Sequence, residues 1–201
     1  MLKHVQVLVG SLFCLILCTG PVIAAAINVA ATANGGIASQ SSSYGFGTGP
    51  QLAIDGNTNG FRYGNSSNIQ HTDFGLHASW QVMFQADYSL SSVTIYNRLD
   101  CCSDRINPFS VFLLDRSGNV INTLATGQTF FGLTPTWSFA IPNVMAAGLK
   151  VQLDGSNWLH MAQVNVQGAV QDTGVPEPAS ALLMLMGIGG IWLGRRRTGS
   201  S

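Results

Sequence analysis

Between Ile27 and Ala169 no stretch keeps apolar residues at the three-to-four-residue spacing of an amphipathic helix. Short apolar alternation recurs instead, and alternation buries one face only when the chain is extended. SWQVMFQA (79–86) places Trp80, Val82 and Phe84 on one side, and SSVTIYNR (91–98) does the same with Val93 and Ile95. FSVFLLDRSGNVINTL (109–124) divides into two runs around Ser117-Gly118-Asn119, a hairpin signature. WSFAI (137–141), LKVQLDG (149–155) and MAQVNVQG (161–168) add three more runs. Seven or eight strands separated by Gly, Asn and Pro predict an all-β fold, an antiparallel β-sandwich. A region of roughly 145 residues can bury about two-thirds of its unfolded surface, enough for one core. The stretch from Ala30 to Ala78 is rich in Gly, Ser and Asn and carries no clear strand. A segment of that length in a compact domain is usually functional or disordered.

Both ends read as targeting segments. In residues 1–26 a basic Lys3 precedes an apolar run from Val5 to Leu17, then Gly20-Pro21 and the small residues Ala24 to Ala26. This is the layout of a secretory signal peptide, for removal by signal peptidase. At the other end, Pro176-Glu177-Pro178 precedes an apolar or small run from Ala179 to Gly194, stopped by Arg195, Arg196 and Arg197. That is a short membrane-spanning helix with a positive flank. The triplet, span and arginines together resemble the PEP-CTERM sorting signal of exopolysaccharide-producing Gram-negative bacteria. The resemblance implies processing by exosortase and a place outside the cell or on its outer surface, with only transient anchorage in the inner membrane. The expected organisation is a signal peptide (1–26), one β-domain (27–170), and a linker with sorting helix and basic tail (171–201).

Charge is scarce: 9% of residues are charged, and the formal net charge is zero. A neutral surface lacks the basic footprint of a nucleic-acid binder. Of the twelve charged residues between 27 and 170, four lie in the eight from Arg98 to Arg105: Arg98, Asp100, Asp104 and Arg105. Cys101 and Cys102 sit among them. Removal of the signal peptide takes Cys14 and Cys18 with it, so these neighbours have no other intramolecular partner. They form a vicinal disulfide, stay as thiols, or bond to a second chain. A vicinal bond closes no long loop and gains little from unfolded-state entropy, so it reads as a rigid surface feature rather than a staple.

His71, twenty-six residues, Arg98-Leu99-Asp100, four residues, Arg105: this spacing, with the Cys pair inside the last gap, resembles the sugar motif of the F-type lectins. NVAATANGGIASQSSSYG (28–45), AIDGNTNG (53–60), SWQVMF and LHMAQVNVQG (159–168) are similar to that family's opening segment, calcium loop, core strand and closing strand. The resemblance implies a discoidin-like jelly roll with sugar on loops at one end. It implies that His71, Arg98 and Arg105 contact fucose, that Asp100 orients an arginine, and that a Cys101–Cys102 disulfide offers a flat apolar face. Phe61 or Tyr63 would receive the sugar's methyl group. It also implies a calcium ion held by the carbonyls of Leu52, Asn57 and Ala162 and the carboxylate of Asp55. Ser66 or Ser67 would stand for a serine ligand, and Gln163 takes the place of the family's closing acid. His160 is read as structural or exposed, and His77 has no assigned role.

The function expected is a calcium-stabilised lectin for terminal L-fucose or a similar neutral sugar, with fucosylated glycan or exopolysaccharide as partner. The alternative is a matrix or adhesion protein on the same fold without a competent sugar site. An enzyme is not expected. Glycoside hydrolysis needs paired carboxylates, yet Glu177, inside the sorting triplet, is the one glutamate in the sequence, and Asp100 and Asp104 both neighbour arginines.

Overall fold

The computed structural model describes residues 25–61, 69–132 and 134–170. The expected sorting helix and nearly all of the expected signal peptide, with Tyr63, Ser66 and Ser67, lie outside the described residues. The regular structure described is antiparallel β-sheet apart from two short 3₁₀ turns. The strands are β1 (Ile27–Asn28), β2 (Ile37–Gln40), β3 (Gln70–His71), β4 (Gly75–Leu76), β5 (Ser79–Tyr96), β6 (Phe109–Leu114), β7 (Val120–Gln128), β8 (Thr136–Leu153), β9 (Ser156–Asn157), β10 (His160–Met161) and β11 (Gln163–Ala169).

Two long strands organise the sandwich. The runs expected at 79–86 and 91–98 are one 18-residue strand, β5, and those at 137–141 and 149–155 are one 18-residue strand, β8. The first part of β5 pairs with β2 and with the last part of β8, which continues to β6 and β7. The second part pairs with β11, then β1, and with the first part of β8. Each long strand therefore serves both layers and must bend between them. In β5 the register skips from Met83 to Tyr88. Arg116, just past β6, donates to the carbonyls of Phe84 and Gln85 at 2.9 and 3.3 Å, satisfying acceptors that the ladder leaves there. In β8 the chain comes so close to β5 at Gly148 that a Cβ would stand 2.7 Å from the Val82 carbonyl. A second irregularity brackets Pro142, which has no N–H to give the ladder.

The alternation reads true where the strands face the core. Trp80, Val82, Val93, Ile95, Val111, Leu113, Leu149, Val151, Val164 and Val166 are all buried. Trp80 satisfies its indole N–H on the Pro50 carbonyl at 2.9 Å. The hairpin at Ser117-Gly118-Asn119 joins β6 to β7 as expected, with Asp115 Oδ1 accepting from the N–H of both Ser117 and Asn119. The stretch that showed no clear strand contains β2 and the two-residue strands β3 and β4, whose partners lie far along the chain.

Candidate functional site

The pairing of β3 with β10 sets His71 opposite His160. Their ring centroids lie 5.2 Å apart, and Tyr44 packs on His71 at 4.7 Å. His71 Nδ1 stands 2.7 Å from the Thr72 carbonyl. A carbonyl only accepts, so Nδ1 carries a proton, and Nε2 is the acceptor whenever the ring is uncharged. Thr72 is itself fixed, exchanging hydrogen bonds with the backbone of Leu159. His71 is only 1% exposed, so it forms a floor rather than a loop tip.

Arg98 follows the end of β5, and the loop carrying it is tied closed by Asn97. The Asn97 amide donates to the Ser103 carbonyl at 2.8 Å and its oxygen accepts the Arg98 N–H at 2.7 Å. The Arg98 guanidinium grips Asp100 with two bonds, Nε to Oδ1 at 2.5 Å and Nη2 to Oδ2 at 3.2 Å. A forked arginine–carboxylate pair fixes direction as well as charge. Burial works against the Arg98 charge, but the bonds and charge of Asp100 outweigh it and leave the pKa raised. The loop 53–60 braces this segment: the Gly60 carbonyl accepts the Leu99 N–H at 2.8 Å, which sets Phe61 beside it. A Cβ at Gly60 would meet the Asn97 carbonyl at 2.5 Å.

Cys101 is exposed and Cys102 half-buried, the latter with φ at +57°. Their sulfurs are 2.6 Å apart, so the two side chains are neighbours in space as well as in sequence. Burial and the Cys102 contact push the Cys101 thiol pKa up, with Arg98 opposing. Arg105 holds its guanidinium 4.4 Å over the Trp158 ring. A cation over an indole face is attracted by the ring quadrupole, so Trp158 steadies Arg105 much as Asp100 steadies Arg98.

His160, taken from the sequence as structural or exposed, is fully buried beside His71. Neither ring nitrogen has a hydrogen-bond partner among the described residues. Burial pushes its pKa down to about 3, and the neighbouring His71, Arg98 and Arg105 add to the shift, against a pull from the Cys102 backbone. His71, Arg98 and Arg105 are thus all near enough to His160 to act on it. His160, Trp158 and Tyr44 were missed because nothing local marks them; their roles come from the β3–β10 register. His77 stands apart, its Nδ1 3.1 Å from the Leu153 carbonyl.

Some of the expected calcium residues are linked by hydrogen bonds. Asp55 Oδ1 accepts the Asn57 N–H at 2.8 Å, and Asn57 Oδ1 accepts the Asn59 N–H at 3.0 Å. Gln163, fully buried, turns Oε1 to the Gly56 N–H at 3.1 Å and its amide nitrogen to Asn165 at 3.1 Å. Leu52 lies in the short turn Pro50–Ala53, and Ala162 precedes Gln163 in the chain. The donors are oxygens with a single carboxylate, a set that fits a hard cation, held with little charge. Among the described residues no group of three or more His, Cys, Asp or Glu side chains is placed to hold a metal by itself.

Comparison with known proteins places this β-sandwich among lectin-like carbohydrate-binding domains. Residues 52–151 match the NedA-like, galactose-binding domain family, and residues 174–197 match the PEP-CTERM protein-sorting motif. The fucolectin of Anguilla anguilla is 32% identical over 139 residues, covering 64% of this chain and 78% of the eel protein. Fucolectin-6 of Anguilla japonica is 32% identical over 115 residues, covering 57% of this chain, which spans 60% of that relative's length. A fucose binding module of Streptococcus pneumoniae superposes with a TM-score of 0.62 at 29% identity, over 70% of this chain and 94% of the module. The chain belongs to the fucolectin family, the F-type lectins.

Proposed function

We propose that this protein is an exported lectin whose site takes a terminal L-fucose or a similar neutral sugar of a glycan or exopolysaccharide. What supports the reading is that His71, Arg98 and Arg105 all act on His160, with Arg98 held by Asp100 and Arg105 by Trp158. Guanidinium groups are all donor, so two of them fork onto the ring and hydroxyl oxygens of an uncharged sugar. His71, protonated on Nδ1, brings the complementary acceptor for a hydroxyl proton. Because Asp100 and Trp158 fix the arginines before ligand arrives, little side-chain entropy is lost on binding. In an oxidising exterior the neighbouring Cys101 and Cys102 join as a disulfide whose apolar face lies under the sugar carbons. Phe61, beside the Arg98 segment, or Tyr63 takes the methyl group. The site adds no chemistry to the sugar.

A calcium ion held by the carbonyls of Leu52, Asn57 and Ala162, the Asp55 carboxylate and the Gln163 amide, with Ser66 or Ser67, would tie the 53–60 loop to β11. That loop braces Leu99, next to Arg98, so the ion acts on binding through position alone. Export uses the signal peptide, and exosortase acts at the sorting motif. Single-site affinity is low, because one monosaccharide offers few atoms, and display of many copies on a matrix raises it. A glycan array probed with the protein and with Arg98→Ala tests the reading. Fucosylated features are expected to bind the first and lose the second by about tenfold or more. Equal signals, or no preference for fucosylated features, would end it.

A further inference from the structure

The segments that carry His71 and His160 leave the cluster side by side. Phe74 lies three residues after His71 and Trp158 two before His160, and just beyond them β4 pairs with β9. The Phe74 and Trp158 rings meet edge to face, centroids 4.9 Å apart at 70°. Phe74 is nonetheless 58% exposed, and Leu76 next to it 68%. The core does not need these side chains, and exposed aromatics joined to a polar rim mark a contact surface. Two features narrow what can sit there. Arg105 occupies one face of Trp158 at 4.4 Å, so the aromatic pair continues directly from the monosaccharide site. Its surroundings are polar and of mixed sign: Asp73 is exposed, its N–H held by the Ser42 hydroxyl, and Asn157 is half-buried. A large apolar partner would have to bury that carboxylate unpaired. A pyranose ring does not: its C–H face lies on an aromatic ring while its hydroxyls meet the polar neighbours.

We propose that Phe74 and Trp158 form a second subsite, which binds the next neutral saccharide of a glycan whose terminal residue sits at Arg98 and Arg105. The inference rests on the sugar-binding reading above. It makes the ligand an oligosaccharide rather than a single sugar. The relay from Arg105 to Trp158 to Phe74 advances by 4.4 and 4.9 Å, within reach of the adjoining ring of a chain.

Calorimetric titration of the full chain separates this inference from the reading beneath it. The probes are methyl α-L-fucoside and four fucosyl-galactose disaccharides, linked α1→2, α1→3, α1→4 and α1→6. At least one disaccharide is expected to bind roughly five- to tenfold tighter than the methyl glycoside, the scale of one added aromatic contact. Phe74→Ala should erase that advantage while the methyl glycoside binds as before, and Phe74→Tyr, which keeps a ring, should restore it. If none of the four disaccharides gains over the methyl glycoside, or if the gain survives in Phe74→Ala, the subsite is refuted and the monosaccharide reading stands. If wild type binds neither kind of probe, the underlying reading fails and the subsite fails with it.

Discussion

Lowering the pH should weaken this fold through one residue. His160 is fully buried, both its ring nitrogens lack a partner among the described residues, and its pKa is pushed down from 6.5 to about 3. In the unfolded chain the imidazole takes a proton near pH 6.5, while in the folded chain it refuses one until about pH 3. Between those values the unfolded state binds more protons, so stability falls as pH falls from 6.5 towards 3. Each unit of that interval is worth about 1.36 kcal/mol. From pH 7 to pH 4.5 the loss from His160 alone comes to about 2.5 kcal/mol, or roughly 8 °C in melting temperature for a domain of this size. Other groups titrate over the same range, so the comparison is with His160→Gln, which keeps a polar side chain but cannot protonate. Denaturant unfolding of both proteins at pH 7 and 4.5 isolates the difference. The variant should lose about 2.5 kcal/mol less than wild type on acidification. Parallel losses in the two proteins would show that His160 does not titrate as a buried neutral base, and the argument would be wrong.

The other expectations are narrower. Asp100→Asn removes the charged acceptor behind Arg98, and a charge-assisted bond is worth about 1.5–3 kcal/mol; fucoside affinity measured by calorimetry should drop about tenfold or more, and unchanged affinity would show that Arg98 needs no brace. Alkylation followed by mass measurement of exported protein should leave Cys101 and Cys102 unmodified until a reductant is added; adducts on both without it would rule out the disulfide platform. Gly60→Ala drives a Cβ against the Asn97 carbonyl, so its thermal midpoint should fall, by the few degrees that about 1–3 kcal/mol of overpacking gives; an unchanged midpoint would mean the loop does not brace the Arg98 segment. Calcium should raise the melting temperature of wild type modestly, and of Gln163→Glu by several degrees more, since a second carboxylate holds a hard cation better; identical melting with and without chelator in both would remove the ion.

What could be read without coordinates was local. The strands showed through alternation because every other residue must face one core, as Trp80, Val82 and Phe84 do on β5 and Leu149, Val151 and Leu153 do on β8. The His71, Arg98, Asp100 and Arg105 spacing was visible because three of the four lie on one loop whose bonds are short-range, Arg98 to Asp100 above all. The joining of two runs into β5 was hidden, since Gln85-Ala86-Asp87 has the polarity of a turn; it stays in the strand because Arg116, some thirty residues on, takes up the carbonyls of Phe84 and Gln85 and the Asp87 carboxylate. His160 was hidden for the same kind of reason. Its place opposite His71 depends on a register between residues 89 apart, which β3 and β10 settle with two residues each. The contrast has a physical meaning for the site. Arg98, Arg105 and Asp100 leave a net positive charge around its floor, so a further cation there would be repelled. A buried histidine held neutral gives that floor a polar group without adding charge, and in the proposed reading the Arg98 donors that Asp100 does not take, with those of Arg105, are left for an uncharged ligand.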